Sequence, residues 1–261
     1  MRKILAITKR EFKSYFYSPV GYIVLALFVI LSGVFFYIYL NSFVKMCLQA
    51  SFYEAQYRGM SQTTLNVNFH MIRPFIYDVA IISLFILPLV TMRLFAEEKK
   101  QGTVELLFTT PVSLNEIIIG KFLAGLAYYG IMLLAPFLYV MLLYFVGNPE
   151  FGPIVSGFLG LLFMGSVILA FGLFISTLTE NQIVAAAGTF ALSLLLWIIS
   201  WGSTVAGKLL GKFFEYISVI THFEDFSQGI LDTQHIAYYV LLTFFGLYLA
   251  KFSLESIKWR S

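Results

Sequence analysis

Six long apolar stretches separate the polar parts of this sequence, and they constrain its fold more than any other feature. A helix that rises about 1.5 Å per residue crosses the roughly 30 Å hydrocarbon core of a bilayer in about 20 residues. Because the backbone in lipid must satisfy its own hydrogen bonds, such stretches are expected to be helical. The sequence therefore predicts an all-α integral membrane protein with spans at about 20–40, 75–94, 117–146, 154–176, 182–203 and 236–252.

Composition supports this class and excludes several functions. Only 12% of the residues are charged, whereas a soluble domain usually carries about 25%. A net charge of +3 is too small to indicate a nucleic-acid partner. The single cysteine, Cys47, excludes an intramolecular disulfide. The histidines show no metal-ligand spacing, so no metal site is expected, and no catalytic nucleophile constellation is evident.

The lysines and arginines set the orientation, since they favour the cytoplasmic side of a membrane. With the N-terminus inside, twelve of these side chains fall on the inner side and five on the outer side. Residues 1–19 are predicted to form a basic amphipathic helix at the inner interface, ended by Pro19. Residues 253–261 form a cytoplasmic tail, so both termini are expected inside a plasma (bacterial inner) membrane.

Two long connections, 41–74 and 204–235, are predicted on the outer side. Within the second, residues 207–232 are predicted to form two short amphipathic helices at the outer interface. They are suited to cap a pathway between spans, although a lipid-anchored loop without a gating role has the same pattern. The candidates for an outer gate are the aromatic residues Phe213, Phe214, Phe223 and Phe226.

The longest charged interruption, 93–121, lies between spans two and three. Gly102 is expected to break the helix, and Thr103 to cap a short new one that Pro111 ends. Ser113 and Glu116 then form a capping box for the next span. The segment 95–116 thus either crosses the inner face as a short helix that docks on a partner or is an ordinary loop. The candidate contact residues are Glu97, Glu98, Gly102, Thr103, Glu105, Leu106, Leu107 and Phe108.

The energy source for any transport is expected to lie in another chain. Between Phe122 and Ala206 the apolar runs contain no Asp, Glu, Lys, Arg or His, whereas ion-coupled transporters usually keep buried ionisable groups. Residues 202–208 have the spacing of a phosphate-binding loop. However, Leu209 stands where a Ser or Thr is required, so nucleotide binding is not expected.

Short motifs in the chain resemble a known family. The run EEKKQGTVELL at 97–107, followed by TPVS at 110–113 and Gly120-Lys121, resembles the signature of ABC-2-type ABC transporter permeases. Matches to the gliding-motility-associated and multidrug-like branch are SYFYSPVGY at 14–22, RPF at 73–75, LTENQ at 178–182 and THFE at 221–224. The resemblance implies an N-terminal elbow helix, six spans and a coupling helix in the segment 95–116.

The same resemblance implies a permease subunit, expected to be an exporter and not itself an enzyme. Its partners would be a separate ABC ATPase subunit that binds ATP and magnesium, a second permease copy or a related permease, and membrane lipid. An alternative is a membrane scaffold subunit of an ATPase-linked motility or assembly complex that moves no substrate. Small residues in span four predict close helix packing. The aromatic-rich spans suit either an amphipathic substrate or simple packing.

Overall fold

A computed structural model of the chain describes residues 2–56, 65–103, 112–145, 147–204 and 207–258. Within these ranges the regular elements are all helices, and no strand occurs. Six of the helices are long and apolar enough to cross a membrane. The prediction of an all-α protein with six spans is therefore confirmed.

Ten α-helices follow one another along the described chain, and short 3-10 or π-helical turns lie between some of them. The α-helices are α1 Arg2–Tyr17, α2 Pro19–Gln56, α3 Arg73–Thr91, α4 Ala96–Lys100, α5 Leu114–Leu142, α6 Phe151–Leu178, α7 Gln182–Ile198, α8 Lys208–Ile217, α9 Val219–Ser227 and α10 Thr233–Lys258. A π-helical turn covers Asn68–Ile72, and 3-10 turns cover Leu143–Phe145 and Ile199–Thr204.

The first spanning helix, α2, is longer than the sequence predicted. Its apolar run fades near residue 40, where the prediction placed the start of a connection, yet the helix continues to Gln56. Residues 41–56 contain neither Gly nor Pro, and they include several strong helix formers such as Leu48 and Ala50. Hydropathy marks where a helix leaves lipid, but only a breaker residue or a cap marks where it ends.

The core of the bundle is formed by α3 and α6. In each, 72% of the apolar window is buried, compared with 17% in α2 and in α7. Glycines allow α6 to approach its neighbours closely: a Cβ at Gly165 would come within 2.1 Å of Tyr129, and one at Gly172 within 2.3 Å of Thr91. The close packing predicted for span four is confirmed. The exposed apolar faces of the outer helices suit lipid or another subunit.

The N-terminal helix, α1, packs along the first half of α5. Ile7 contacts Gly120, where an added Cβ would lie 2.7 Å from the Ile7 side chain. The Thr8 hydroxyl donates to the Gly120 carbonyl at 3.2 Å. The basic side chains Lys9 and Lys13 are exposed. A helix is thus present where it was predicted, while its location at the membrane interface stays a prediction.

Two consecutive short helices, α8 and α9, occupy the segment predicted to lie outside. The second helix was predicted to end near Asp232, and this is wrong, because α9 ends at Ser227. Gly229 has a φ of 92°. The Ile230 N–H donates to the Asp225 carbonyl at 2.9 Å, a glycine stop that satisfies the last carbonyls of the helix.

Candidate functional site

The polar segment between the second and third spans begins where α3 ends, and it contains a turn followed by the short helix α4. After Thr91 the chain turns over four residues before α4 begins. Gly102 has a φ of 68°, which glycine adopts without steric cost. The Thr103 N–H and hydroxyl both donate to the Glu98 carbonyl, at 3.0 and 3.2 Å. The predicted break at Gly102 is confirmed. Thr103 closes α4, and the short helix that it was predicted to cap lies outside the described residues.

A buried lysine, Lys121, joins three helices at this end of the bundle. Its side chain is 1% exposed, and its Nζ lies 2.9 Å from Glu98 Oε1 and 3.4 Å from Glu11 Oε2. The same Nζ lies 5.0 Å from the centroid of the Phe95 ring. Because a buried charge is tolerated only when it is paired, α1 and α4 each contribute a carboxylate to a cation on α5. We call Glu11, Glu98 and Lys121 the Lys121 cluster.

Arg93 ties the end of α3 to the boundary between α1 and α2. Its Nη1 donates to the Ser18 hydroxyl at 2.6 Å, and its Nε lies 3.1 Å from Glu97 Oε2. Ser18 is the one residue that separates α1 from α2. The Arg93 guanidinium therefore connects the turn after α3 to the beginning of α2.

Tyr15 lies on the apolar side of the Lys121 cluster. It is buried, its ring stacks on Tyr128 with centroids 4.6 Å apart, and its hydroxyl donates to the Val90 carbonyl at 3.4 Å. Burial raises the pKa of the Tyr15 phenol. The side chain therefore stays a neutral donor that links α1 to α3 and α5.

An open cavity of about 430 Å³ lies between α1, the end of α3, α4 and the start of α5. Glu98 Oε2 is buried and has no hydrogen-bond partner among the described residues. A hydrogen bond to Glu11 raises the pKa of the Arg10 guanidinium, so this wall stays charged. Part of the cavity wall, including Glu98 and Thr103, belongs to the predicted coupling segment 95–116. The lining residues are Arg10, Glu11, Ser14, Tyr15, Arg93, Leu94, Glu97, Glu98, Gln101, Thr103 and Lys121.

The short helix α4 also contacts the end of α6 through Lys99. The Lys99 Nζ donates to the Thr177 carbonyl at 2.8 Å. This carbonyl belongs to the last turn of α6, where backbone acceptors have no partner within the helix and attract cations. Through Glu98 and Lys99, α4 is thus bonded to both α5 and α6.

The third span begins with the capping box that the sequence predicted. The Ser113 N–H donates to Glu116 Oε2 at 2.9 Å, and the Glu116 N–H donates to the Ser113 hydroxyl at 3.3 Å. The pattern of these two residues was sufficient to find the start of α5, because a capping box is a local interaction.

The residues predicted to contact a partner fall into two groups. Glu97, Glu98, Gly102 and Thr103 are in the described part, where Glu97 pairs with Arg93 and Glu98 pairs with Lys121. The others, Glu105, Leu106, Leu107 and Phe108, lie outside the described residues. Sequence reasoning missed the role of Glu11. The available signal was the position of Lys121 in an apolar helix, where a lysine requires a counter-charge.

The aromatic residues predicted to form an outer gate have different environments. Phe223 and Phe226 are fully buried, and a Cβ at Gly160 of α6 would come within 2.6 Å of Phe226. Phe213 is 58% exposed, and Phe214 is half-buried. Two members of the set therefore belong to the core, and two lie on the surface side of α8.

Two histidines that are far apart in sequence meet beside these rings. The His222 and His235 centroids are 5.0 Å apart, and His222 stacks on Tyr238 at 3.8 Å. His235 Nε2 lies 2.6 Å from Asp225 Oδ2. Burial lowers the pKa of His222 and favours its neutral form. Within the described ranges, no group of three His, Cys, Asp or Glu side chains is placed to hold a metal.

These features define an all-helical integral membrane protein with six candidate spans and a charged cluster at one end. Residues 5–253 match the family model for the ABC-2 family transporter protein. The match covers nearly the whole chain, so the chain belongs to the ABC-2 transporter family and is a permease subunit of an ABC transporter. No curated protein matches it significantly. The likeness to the gliding-motility-associated and multidrug-like branch stays a prediction.

Proposed function

We propose that this chain is the permease of an exporter in the bacterial inner membrane, driven by ATP hydrolysis in a separate ABC ATPase subunit. The Lys121 cluster is the observation that carries the proposal. It joins α1, α4 and α5 by charge, and one of its members, Glu98, lies within the segment 95–116, which the sequence predicts to contact the ATPase. In this proposal both termini lie in the cytoplasm, and ATP and magnesium bind to the partner.

The bonds of α4 support a mechanical role for this segment. Glu98 bonds to Lys121 on α5, and Lys99 bonds to the Thr177 carbonyl on α6. Separating a buried ion pair leaves an uncompensated charge and is therefore costly. A displacement of the segment 95–116 by the ATPase would consequently move α4 together with the spans to which it is bonded.

The apolar surface and the lack of charged residues in α6 and α7 support the remaining parts of the proposal. The sequences of α6 and α7 contain no Asp, Glu, Lys, Arg or His, and an ion-coupled carrier would need such groups in mid-membrane. The exposed faces of α2 and α7 are apolar. They suit lipid on one side and a second permease copy, or a related permease, on the other.

The coupling proposal is tested with two variants, Glu105→Lys and the double change Leu106→Ser with Leu107→Ser. Both should lose binding and stimulation of the co-purifying ATPase while the spans stay folded, because only the predicted contact surface changes. ATPase activity in proteoliposomes and the thermal midpoint of the purified permease are measured. Glu150→Lys reverses an exposed charge at the other end of the bundle and serves as the control.

Two results would contradict parts of the proposal. If ATPase binding and stimulation stay normal in both variants, segment 104–111 does not couple the two subunits. If the ATPase is stimulated but no amphipathic probe moves across vesicles in an ATP-dependent manner, the chain is a scaffold subunit and not an exporter.

A further inference from the structure

A second pocket lies at the end of the bundle opposite the Lys121 cluster. It has a volume of about 350 Å³ and lies where the later part of α2 meets the beginning of α3. None of the coupling contacts described above involves it. Its lining residues are Tyr39, Phe69, Arg73, Pro74, Tyr77 and Asp78.

One wall of this pocket is suited to a cation. The Tyr39 hydroxyl donates to Asp78 Oδ2 at 2.7 Å and holds the carboxylate in place. The Tyr77 hydroxyl reaches a second carboxylate, Glu224, at 3.4 Å. Aromatic ring faces attract ammonium groups electrostatically, and the attraction is strongest where water is excluded. The carboxylate of Asp78 with the rings of Tyr39 and Tyr77 therefore forms a partial cage for an ammonium group.

The other wall carries a cation of its own. The Arg73 guanidinium lies 5.8 Å from the centroid of the Phe69 ring. None of the ion pairs in the described part of the chain includes Arg73. A guanidinium presents two parallel N–H donors that match a phosphate. Arg73 and Asp78 are five residues apart on α3, so their backbone positions differ by about 7.5 Å along the axis.

We propose that this pocket binds a zwitterionic headgroup, with the phosphate at Arg73 and the ammonium at Asp78. The source is a phospholipid of the adjacent leaflet, because the pocket lies where the apolar run of α2 fades and α3 begins, a depth at which headgroups are found. Tyrosines such as Tyr39 and Tyr77 are typical of this depth. The proposal does not depend on the ATPase contact, since it concerns lipid at the other end of the bundle.

The balance of charge decides among lipid classes. An anionic headgroup pairs with Arg73 but is repelled by Asp78. A simple cation pairs with Asp78 but is repelled by Arg73. A lipid without a charged headgroup offers neither side chain a counter-charge. Only a group that carries both charges complements both walls, so the pocket is expected to discriminate by headgroup and not by acyl chain.

Native mass spectrometry of the delipidated full-length protein tests this, with equal amounts of phosphatidylethanolamine, phosphatidylglycerol and diacylglycerol. Phosphatidylethanolamine should be retained with a preference of about tenfold, the effect of one charge-assisted hydrogen bond. Asp78→Asn should abolish the preference over phosphatidylglycerol, and Arg73→Gln should abolish the preference over diacylglycerol. Lys45→Gln and Glu150→Gln, which remove exposed charges outside the pocket, should keep it.

Additional measurements distinguish a lipid from a soluble compound with the same headgroup. Glycerophosphoethanolamine, which has the headgroup but no acyl chains, should fail to displace the lipid; displacement would assign the site to a soluble compound. Tyr39→Phe should weaken the preference without changing a charge, which covers the case in which a charge variant misfolds. A preference for phosphatidylglycerol, or one that survives in both folded charge variants, would overturn the proposal. ATPase stimulation is measured separately, so failure here leaves the coupling proposal standing.

Discussion

The two ends of this helical bundle are held together by different interactions. At the Lys121 end, charged side chains from α1, α4 and α5 meet around one buried lysine. At the opposite end, rings pack against rings and glycines, as Phe226 does on Gly160 and His222 on Tyr238. Ion pairs fix distances and directions, whereas apolar packing is non-directional. The proposed coupling requires fixed contacts of the first kind, whereas apolar contacts of the second kind can repack.

The largest expected effect comes from breaking the charged end. Lys121→Met leaves Glu11 and Glu98 with the exposed Arg10 as their remaining cation, 2.6 and 3.9 Å away. It should therefore destabilise the protein by about 3 kcal/mol, the lower part of the range for a broken buried pair. Thermal and denaturant unfolding in detergent measure the loss. Adding Glu98→Gln and Glu11→Gln to Lys121→Met should restore much of the stability, because no buried charge then remains.

An exposed ion pair provides the control for this variant. Lys251 and Glu255 lie 3.7 Å apart with side chains 36% and 45% exposed, and such a pair contributes less than about 1 kcal/mol. Lys251→Met should therefore have little effect. Equal losses in Lys121→Met and Lys251→Met would show that the Lys121 cluster is not the fixed point inferred here.

A smaller effect is expected from overfilling the apolar end. Gly160→Ala places a Cβ within 2.6 Å of Phe226, and overpacking of this kind costs about 1–3 kcal/mol. Gly152→Ala, in the same helix, meets nothing within 4 Å, and it should be neutral or stabilising by up to about 1 kcal/mol. Similar unfolding midpoints for the two variants would contradict the close contact between α6 and α9.

The smallest effect is a pH dependence confined to the apolar end. Burial lowers the pKa of His222 below its ordinary 6.5, so the unfolded chain takes up a proton first as the pH falls. Stability is then unaffected well above 6.5 and is lost on acidification from 6.5 towards the lowered pKa. Unfolding midpoints of the wild type and His222→Phe are compared as the pH is lowered.

The difference between these two proteins isolates His222, because the pair formed by His235 and Asp225 is present in both. His222→Phe should show the shallower loss of stability on acidification. Parallel curves for the two proteins would mean that the ring is protonated as easily in the folded protein as in the unfolded chain.

Local interactions in this protein could be predicted from the sequence. The six spans follow from apolar runs, the stop at Gly102 from glycine chemistry, and the start of α5 from Ser113 and Glu116. Each of these signals lies within a few residues of the element that it defines. The end of α2 was missed because apolar character ends near residue 40, while nothing in the described part of the helix breaks it before Gln56.

Contacts between distant parts of the chain could not be predicted in this way. Glu11 and Lys121 are separated by more than one hundred residues, and their pairing follows from how α1 lies on α5. Phe223 and Phe226 were predicted as outer-gate candidates, because an amphipathic pattern gives a helix an apolar face without saying what covers it. Here α6 covers that face, through the space left by Gly160.

The length of α2 has a mechanical consequence. At about 1.5 Å per residue its 38 residues extend about 57 Å, while a bilayer with its headgroups is about 40–45 Å thick. The foot of this helix is held at Ser18 by Arg93 and at Gly21 by the Tyr128 hydroxyl, which donates to its carbonyl at 2.6 Å. The Tyr39 hydroxyl also bonds this helix to Asp78 of α3, so the part that extends beyond that contact is residues 40–56, about 26 Å long. A rotation of about 5° about Tyr39 would carry the tip of α2 through about 2 Å.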